Sequence, residues 1–232
     1  MKLSHLLFLL ITTLFATGCS VSPQKPISLD TQFYNVKSEK IGLYLDTIPK
    51  ANTYFPGASC LLCLAAAEIA NSDLTEHVQG LPNSEVDISL NIVEEILKAN
   101  GLEVVRVEQP INISELKKFS TDNELIPYAR KDFRSLKSSL GVDKLVVIDI
   151  NRLGIYRSYS AYLPTSDPLG YVAGNISVID LSDNQYKLYE PVNIKTKVKG
   201  EWDEPNQFPG VTTAYFQSTE VLKEKVKTLF SK

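Results

Sequence analysis

Histidine, methionine, tryptophan and cysteine are scarce in this 232-residue chain, which has two His, one Met, one Trp and three Cys. Each scarcity removes a class of chemistry. His5 lies in the first apolar run, so His77 is the sole imidazole of the remaining chain. One imidazole cannot build a histidine-rich metal site, and a zinc site that used the cysteines of the body would still lack two ligands. His77 is also the only base open to a serine nucleophile, and the Gly-x-Ser-x-Gly elbow is missing. Neither Gly-x-x-x-x-Gly-Lys nor Gly-x-Gly-x-x-Gly occurs, so no glycine-rich loop cradles a phosphate. Basic residues are not in excess. Residues 1–18 hold one charge, Lys2, and the rest of the chain carries 23 basic and 27 acidic residues, a net charge of −4. Such a surface has no electrostatic attraction to nucleic acid. Long apolar runs are absent after the first one. That one, Leu6 to Phe15, is ten residues, about 15 Å of helix against a hydrocarbon core of about 30 Å, too short to span.

What is present begins at the N-terminus. A positive start at Lys2, the apolar run and the small residues Ala16-Thr17-Gly18 before Cys19 form a secretory signal over residues 1–18. Its ending resembles the lipobox of bacterial lipoproteins, with Ala16 where that family prefers Leu. The resemblance implies that Cys19 carries diacylglycerol and an added acyl chain such as palmitate, and becomes the mature N-terminus. Two or three chains anchor a protein stably where one does not. In that family Asp after the Cys retains the protein at the inner membrane. Ser20 stands here instead, which implies a periplasm-facing location at the outer membrane. Residues 19–37 then read as the lipidated end and a flexible tether, polar and broken by Pro23 and Pro26. Residues 38–232 read as a single globular domain, of a size to bury one core.

Within that domain, Ile41, Leu43 and Leu45 alternate as a strand. Ser59 can cap an apolar helix over residues 60–70. Its alanines suit a buried core helix, or else a self-association or partner face. Val86, Leu90, Val93 and Leu97 recur at helical spacing up to Gly101. A strand follows over 102–108, then a helix over 128–140. Residues 144–150 run continuously apolar, as in a strand covered on both faces. Residues 171–181 and 186–199 alternate around a Ser-Asp-Asn-Gln turn, which predicts an antiparallel hairpin with Asn193, Lys195, Lys197 and Lys199 on a wet face. A last helix spans 215–230.

The fold class is therefore α/β with a mixed sheet: three strands alternating with helices, then an antiparallel hairpin and a C-terminal helix. This order resembles the α/β domains of the curli-secretion lipoprotein, of the lipoprotein activators of penicillin-binding proteins and of the Tol translocation protein N-terminus. The resemblance covers residues 38–230 as element order alone. It implies assembly or regulatory roles at an export apparatus or a wall-synthesis enzyme. The long membrane-entering hairpins of the curli pore have no counterpart here.

Candidate chemistry is sparse. Cys60 and Cys63 stand at Cys-x-x-Cys spacing behind a helix start, which admits a structural disulfide, two buried thiols or a periplasmic thiol oxidoreductase. Asp46 and Asp149 close two strands at what would be the ligand-binding edge of a parallel sheet, where they either meet a cation or ligand or simply accept backbone hydrogen bonds. Tyr156, Tyr159 and Tyr162 on one loop, and Trp202 and Phe208 on another, read as a partner surface or as rings packed over the sheet. These features point to a non-catalytic, membrane-anchored envelope protein that binds a partner protein, with self-association as an alternative, no cofactor beyond the lipid at Cys19, and no metal.

Overall fold

The computed structural model describes residues 23–121, 126–204 and 207–231, so the leader and Cys19 lie outside the described residues. Its axis is β4 (Lys144–Tyr156), grown from the continuous apolar run. The parallel strands β1 (Lys40–Leu45) and β3 (Glu103–Arg106) flank it on one side in the order β3-β1-β4. On the other side lie β7 (Leu169–Asp180) and β8 (Tyr186–Lys197), each antiparallel to its neighbour. The sheet is mixed and the chain is α/β, as the element order predicts.

β4 continues six residues beyond the expected end at Ile150, and it does so through a bulge. Ile150 stands opposite Gly174 and Arg152 opposite Ala173, which leaves Asn151 unpaired. Side chains alternate with period two, so one extra residue exchanges the faces. Val146, Ile148 and Ile150 enter the main core before the bulge, and Leu153 and Ile155 enter the same core after it. Past the bulge, β2 (Asn52–Tyr54) takes the place of β1 along the same edge of β4. Gly154 makes this possible. Its φ is +139°, and a Cβ there would sit 1.9 Å from the Asn52 carbonyl oxygen.

Three helices build the main core on one face: α2 (Ser72–Gln79), α3 (Asp87–Ala99) and α5 (Pro209–Phe230). Between β2 and α2 lies α1 (Leu61–Ala70). The stripe Val86, Leu90, Val93 and Leu97 is buried as its spacing predicts, as are Leu222, Val226 and Phe230. α5 starts six residues before the expected Tyr215, at Pro209, whose fixed φ suits the first helical turn. On the second face, Tyr44, Leu145 and Val147 meet Ala129, Phe133 and Val142, but only over the first half of β4.

The helix expected over 128–140 shrinks to α4 (Leu136–Leu140). Asn184 is the cause. It sits buried in the β7–β8 turn at φ +67°. Its side-chain amide donates to the Ala129 and Lys131 carbonyls at 2.8 and 2.9 Å, and its Oδ1 accepts the Phe133 N–H at 2.8 Å. That clamp takes the backbone groups a helix would need.

The expected tether also ends early. Ile27 exchanges backbone hydrogen bonds with Tyr189. The Asp30 carboxylate caps a 3-10 turn over Thr31–Tyr34, and Phe33 and Tyr34 are buried in the main core. The Tyr34 hydroxyl donates to the Phe230 carbonyl at 2.5 Å. The segment's polarity and prolines suggested a linker, but these two adjacent aromatics repay burial. Phe33→Ala is expected to cost about 3 kcal/mol in urea denaturation. A residue of a free tether would leave the midpoint unchanged.

Candidate docking surface

Cys60, not Ser59, caps α1. Its Sγ accepts the Cys63 N–H at 2.9 Å, and the two cysteines are joined in a disulfide with Cα atoms 4.9 Å apart. Cys63 and Ala67 lie one turn apart and pack on Phe55, Ala58 and Tyr159 in a small satellite core. They are the only buried residues of α1. Leu61 is 85% exposed, Leu62 71% and Ile69 76%, and Ala65, Ala66 and Ala70 are exposed with them. The expectation of a buried core helix is therefore overturned. α1 packs only on the satellite core beside β2, through a seam two residues wide, so most of its apolar surface has nothing to bury against. Among the described residues no helix is long and apolar enough to cross a membrane.

The short hairpin of β5 (Tyr159–Ser160) and β6 (Leu163–Pro164) stands beside α1. The Tyr159 N–H donates to the Pro56 carbonyl at 2.8 Å, and Gly57 at φ +91° lets the chains touch, since a Cβ there would lie 1.8 Å from the Tyr159 oxygen. The hairpin's tip carries Tyr162, 55% exposed, and Leu163, 70% exposed. The Tyr162 hydroxyl lies 3.8 Å from Cys60 Sγ, so tip and helix start form one apolar prominence.

The five aromatics singled out from the sequence do not make one patch. Tyr159 is buried, and its hydroxyl accepts from the Asn71 side chain at 2.7 Å. Trp202 and Phe208 stack with centroids 6.5 Å apart and pack half-buried against the main core. The Arg157 guanidinium lies 4.4 Å from the Trp202 ring on the same loop cluster. Only Tyr162 is at the tip, and Tyr156 belongs to the sheet.

Tyr156 opens onto the half of the second sheet face that no helix covers. Its ring meets Tyr171 at 5.3 Å, and Tyr171 meets Tyr54 at 5.6 Å. The Lys195 ammonium sits 3.6 Å over Tyr156, and the Arg152 guanidinium 5.9 Å over Tyr54. Lys195, Lys197, Asn193 and Arg152 are exposed, as predicted for the wet face of β8, while Tyr171 and Ala173 on the strand between are buried beneath them. Sequence reasoning missed Tyr54, Arg152 and Tyr171: the bulge in β4 decides which side Arg152 faces, pairing past that bulge places Tyr54, and Tyr171 follows the regular alternation of β7 opposite Val172.

Asp46 and Asp149 sit side by side at the start of this open half. Asp149 accepts from the Asn175 amide at 3.0 Å, and Asp46 accepts the Tyr44 hydroxyl at 3.1 Å and the Thr47 N–H at 2.7 Å. Burial pushes the Asp149 carboxyl up, the Asp46 charge adds to this, and the Asn175 bond partly offsets it. Among the described residues, no group of three or more His, Cys, Asp or Glu side chains is placed to share a metal ion. His77 is also remote from this pair. Its Nε2 lies 2.7 Å from the Thr212 hydroxyl, tying α2 to α5, and burial lowers its pKa.

No family model matches the chain, and no curated protein matches it. Three solved structures are distantly similar. A Xanthomonas campestris protein assigned to family DUF330 has 12% identity and a TM-score of 0.38, covering 89% of this chain and 86% of its own. PelC from Paraburkholderia phytofirmans, a dodecamer, has 8% identity and a TM-score of 0.27, covering 80% of this chain and 86% of its own. A lipoprotein from Neisseria meningitidis has 15% identity and a TM-score of 0.28, covering 81% of this chain and 97% of its own. Likeness of this degree assigns no function.

Two outcomes follow from the geometry. The Asp149 pKa is raised on folding, so its contribution to stability is complete below the ordinary value of 3.8 and is lost as pH rises through the folded value. Asp149→Asn should therefore stabilise the protein at neutral pH, by less than about 1 kcal/mol after solvent screening. The gain should vanish in thermal melts at acid pH. Replacing Cys60 and Cys63 together by Ala opens a four-residue loop and should cost about 2 kcal/mol or less by chain entropy. Hydrogen exchange should rise in the first turn of α1 and stay unchanged in β4.

Proposed function

We propose that this chain is a lipoprotein of the bacterial envelope, held at the outer membrane through lipid on Cys19, and that it acts as a non-catalytic binding or assembly factor for an envelope protein complex. The observation that supports this reading is the half-sheet where exposed Arg152 and Lys195 lie over half-buried Tyr54 and Tyr156, with Tyr171 buried between those rings. Tyrosine and arginine are the residues enriched at protein interfaces, and rings stiffened by cations cost little entropy to bury. The exposed cations Arg152, Lys195 and Lys197 suit a partner surface bearing carboxylates. The titratable groups support binding over chemistry. Asp46 and Asp149 are engaged by Tyr44, Thr47 and Asn175, and His77 is bonded to a threonine rather than to a carboxylate.

One observation favours a second reading, thiol exchange: Cys60 is exposed at a helix N-terminus while its partner Cys63 is buried. Alkylation of intact cells separates the two. A structural disulfide remains oxidised in the whole population, whereas an exchanging one cycles and traps mixed disulfides.

Two further measurements test the main reading. Cys19→Ser should remove the acyl mass seen by mass spectrometry and release the protein from the membrane fraction. Pull-down from detergent-solubilised membranes should recover a stoichiometric partner, and Lys195→Glu with Arg152→Glu should reduce that recovery at least about tenfold. A wild-type chain that stays acylated but runs as a monomer without any partner would sink the proposal.

A further inference from the structure

We infer that α1 and the β5–β6 tip form a bilayer contact, seated in the lipid surface beside the anchor. This rests on the lipoprotein reading above and adds to it an orientation and a second membrane-binding element. The prominence itself is apolar and convex. Leu61, Leu62, Ile69 and Leu163 project from it with Tyr162, whose ring has an apolar body and a polar end suited to a headgroup boundary. Glu68 is the only charged residue of α1. Contiguous apolar surface of this kind marks a membrane or a partner site, and the course of the chain decides between them.

Ile27 pairs antiparallel with Tyr189. Traced backwards from that pair, the chain heads toward the Lys197 end of β8, and Pro23 to Pro26 line a shallow pocket with Arg130, Tyr186, Tyr189 and Pro191. The Lys197 end is the α1 end of the molecule. Lys197 stands opposite Leu169, Leu169 opposite Tyr156, and Tyr156 opposite Tyr54, which leads into α1. From Tyr189 to Lys197 is eight residues of strand, about 27 Å. From Ile27 back to Cys19 is also eight residues, a reach of about 28 Å at most. Fully extended, that length just reaches the α1 end, so a lipid on Cys19 can meet the bilayer level with α1. The charges that follow β8 at this end have both signs, with Lys197 and Lys199 beside Glu201, Asp203 and Glu204, so the contact is apolar and insensitive to salt.

The test uses the full lipidated chain in phosphatidylethanolamine–phosphatidylglycerol vesicles, with Leu62→Trp in a Trp202→Phe background. Circular dichroism confirms the fold, and lipids brominated along their chains serve as quenchers. Emission from Leu62→Trp should shift to the blue and lose most of its intensity at low and high salt alike. Ser138→Trp, on α4 at the far end, should be unaffected. If the chain floats with vesicles but position 62 is not quenched, the inference is overturned, and disulfide formation between copies of Ala66→Cys would identify a second chain as the occupant. If the chain does not float, the lipid-anchor reading has failed. The same variants beginning at residue 20 behind a hexahistidine tail, held on nickel-chelating lipid, then read the helix alone: quenching at 62 sustains the contact, and its absence overturns it.

Discussion

The slip of one residue in β4 governs the rest of the molecule. Before Asn151 the strand is covered twice, by α3 and α5 on one side and by residues 111–116 and 129–142 on the other. After Asn151 the helix side keeps its apolar contacts, because Leu153 and Ile155 inherit the parity of Ile148 and Ile150. The other side loses its cover and becomes an aromatic and cationic surface. A regular strand would instead have sent Arg152 toward the helices, where burying its charge without a partner would be costly. The bulge therefore resolves a conflict between a strand long enough to support both β1 and β2 and a core that extends under only one of its faces.

The two apolar or aromatic surfaces occupy different parts of the fold. One is an end, built from a helix that gives only Cys63 and Ala67 to the interior. The other is a side, built from strands whose remaining half is fully packed. If the end is seated in a bilayer as proposed, the side would face laterally along the membrane, open to a neighbouring protein. The disulfide fits this division. It adds little to global stability, but it fixes the start of a helix that has almost no packing to hold it.

Much of the fold was legible because its signals are local. The continuous run at residues 144–150, the alternation of Val192, Ile194 and Lys195, and the stripe from Val86 to Leu97 each follow from periodicity. What was not legible depends on distant partners. Asn184 claims the backbone of Ala129 to Phe133 from more than fifty residues away, and no window of sequence reports that. Phe33 and Tyr34 sit in a polar, proline-bearing stretch, and only their contacts with the far end of the chain reveal their role. The face chosen by Arg152, and by Tyr54 paired beyond it, hangs on a bulge that leaves no signature. The exposure of α1 runs against the general rule that apolar helices are buried, and such exceptions tend to mark function.

Both rims of the sheet are closed to strand addition. On one side β3 is four residues long and bears two ion pairs, Lys40 with Glu103 at 2.7 Å and Arg106 with Glu94. On the other, Ile27 occupies β8 at Tyr189, Pro191 offers no N–H, and Lys195 and Lys197 follow. Short length, charge and proline are the devices that keep a rim from templating a neighbour's backbone. Crowded molecules of this protein can therefore gather side by side without zipping into a shared β-ribbon.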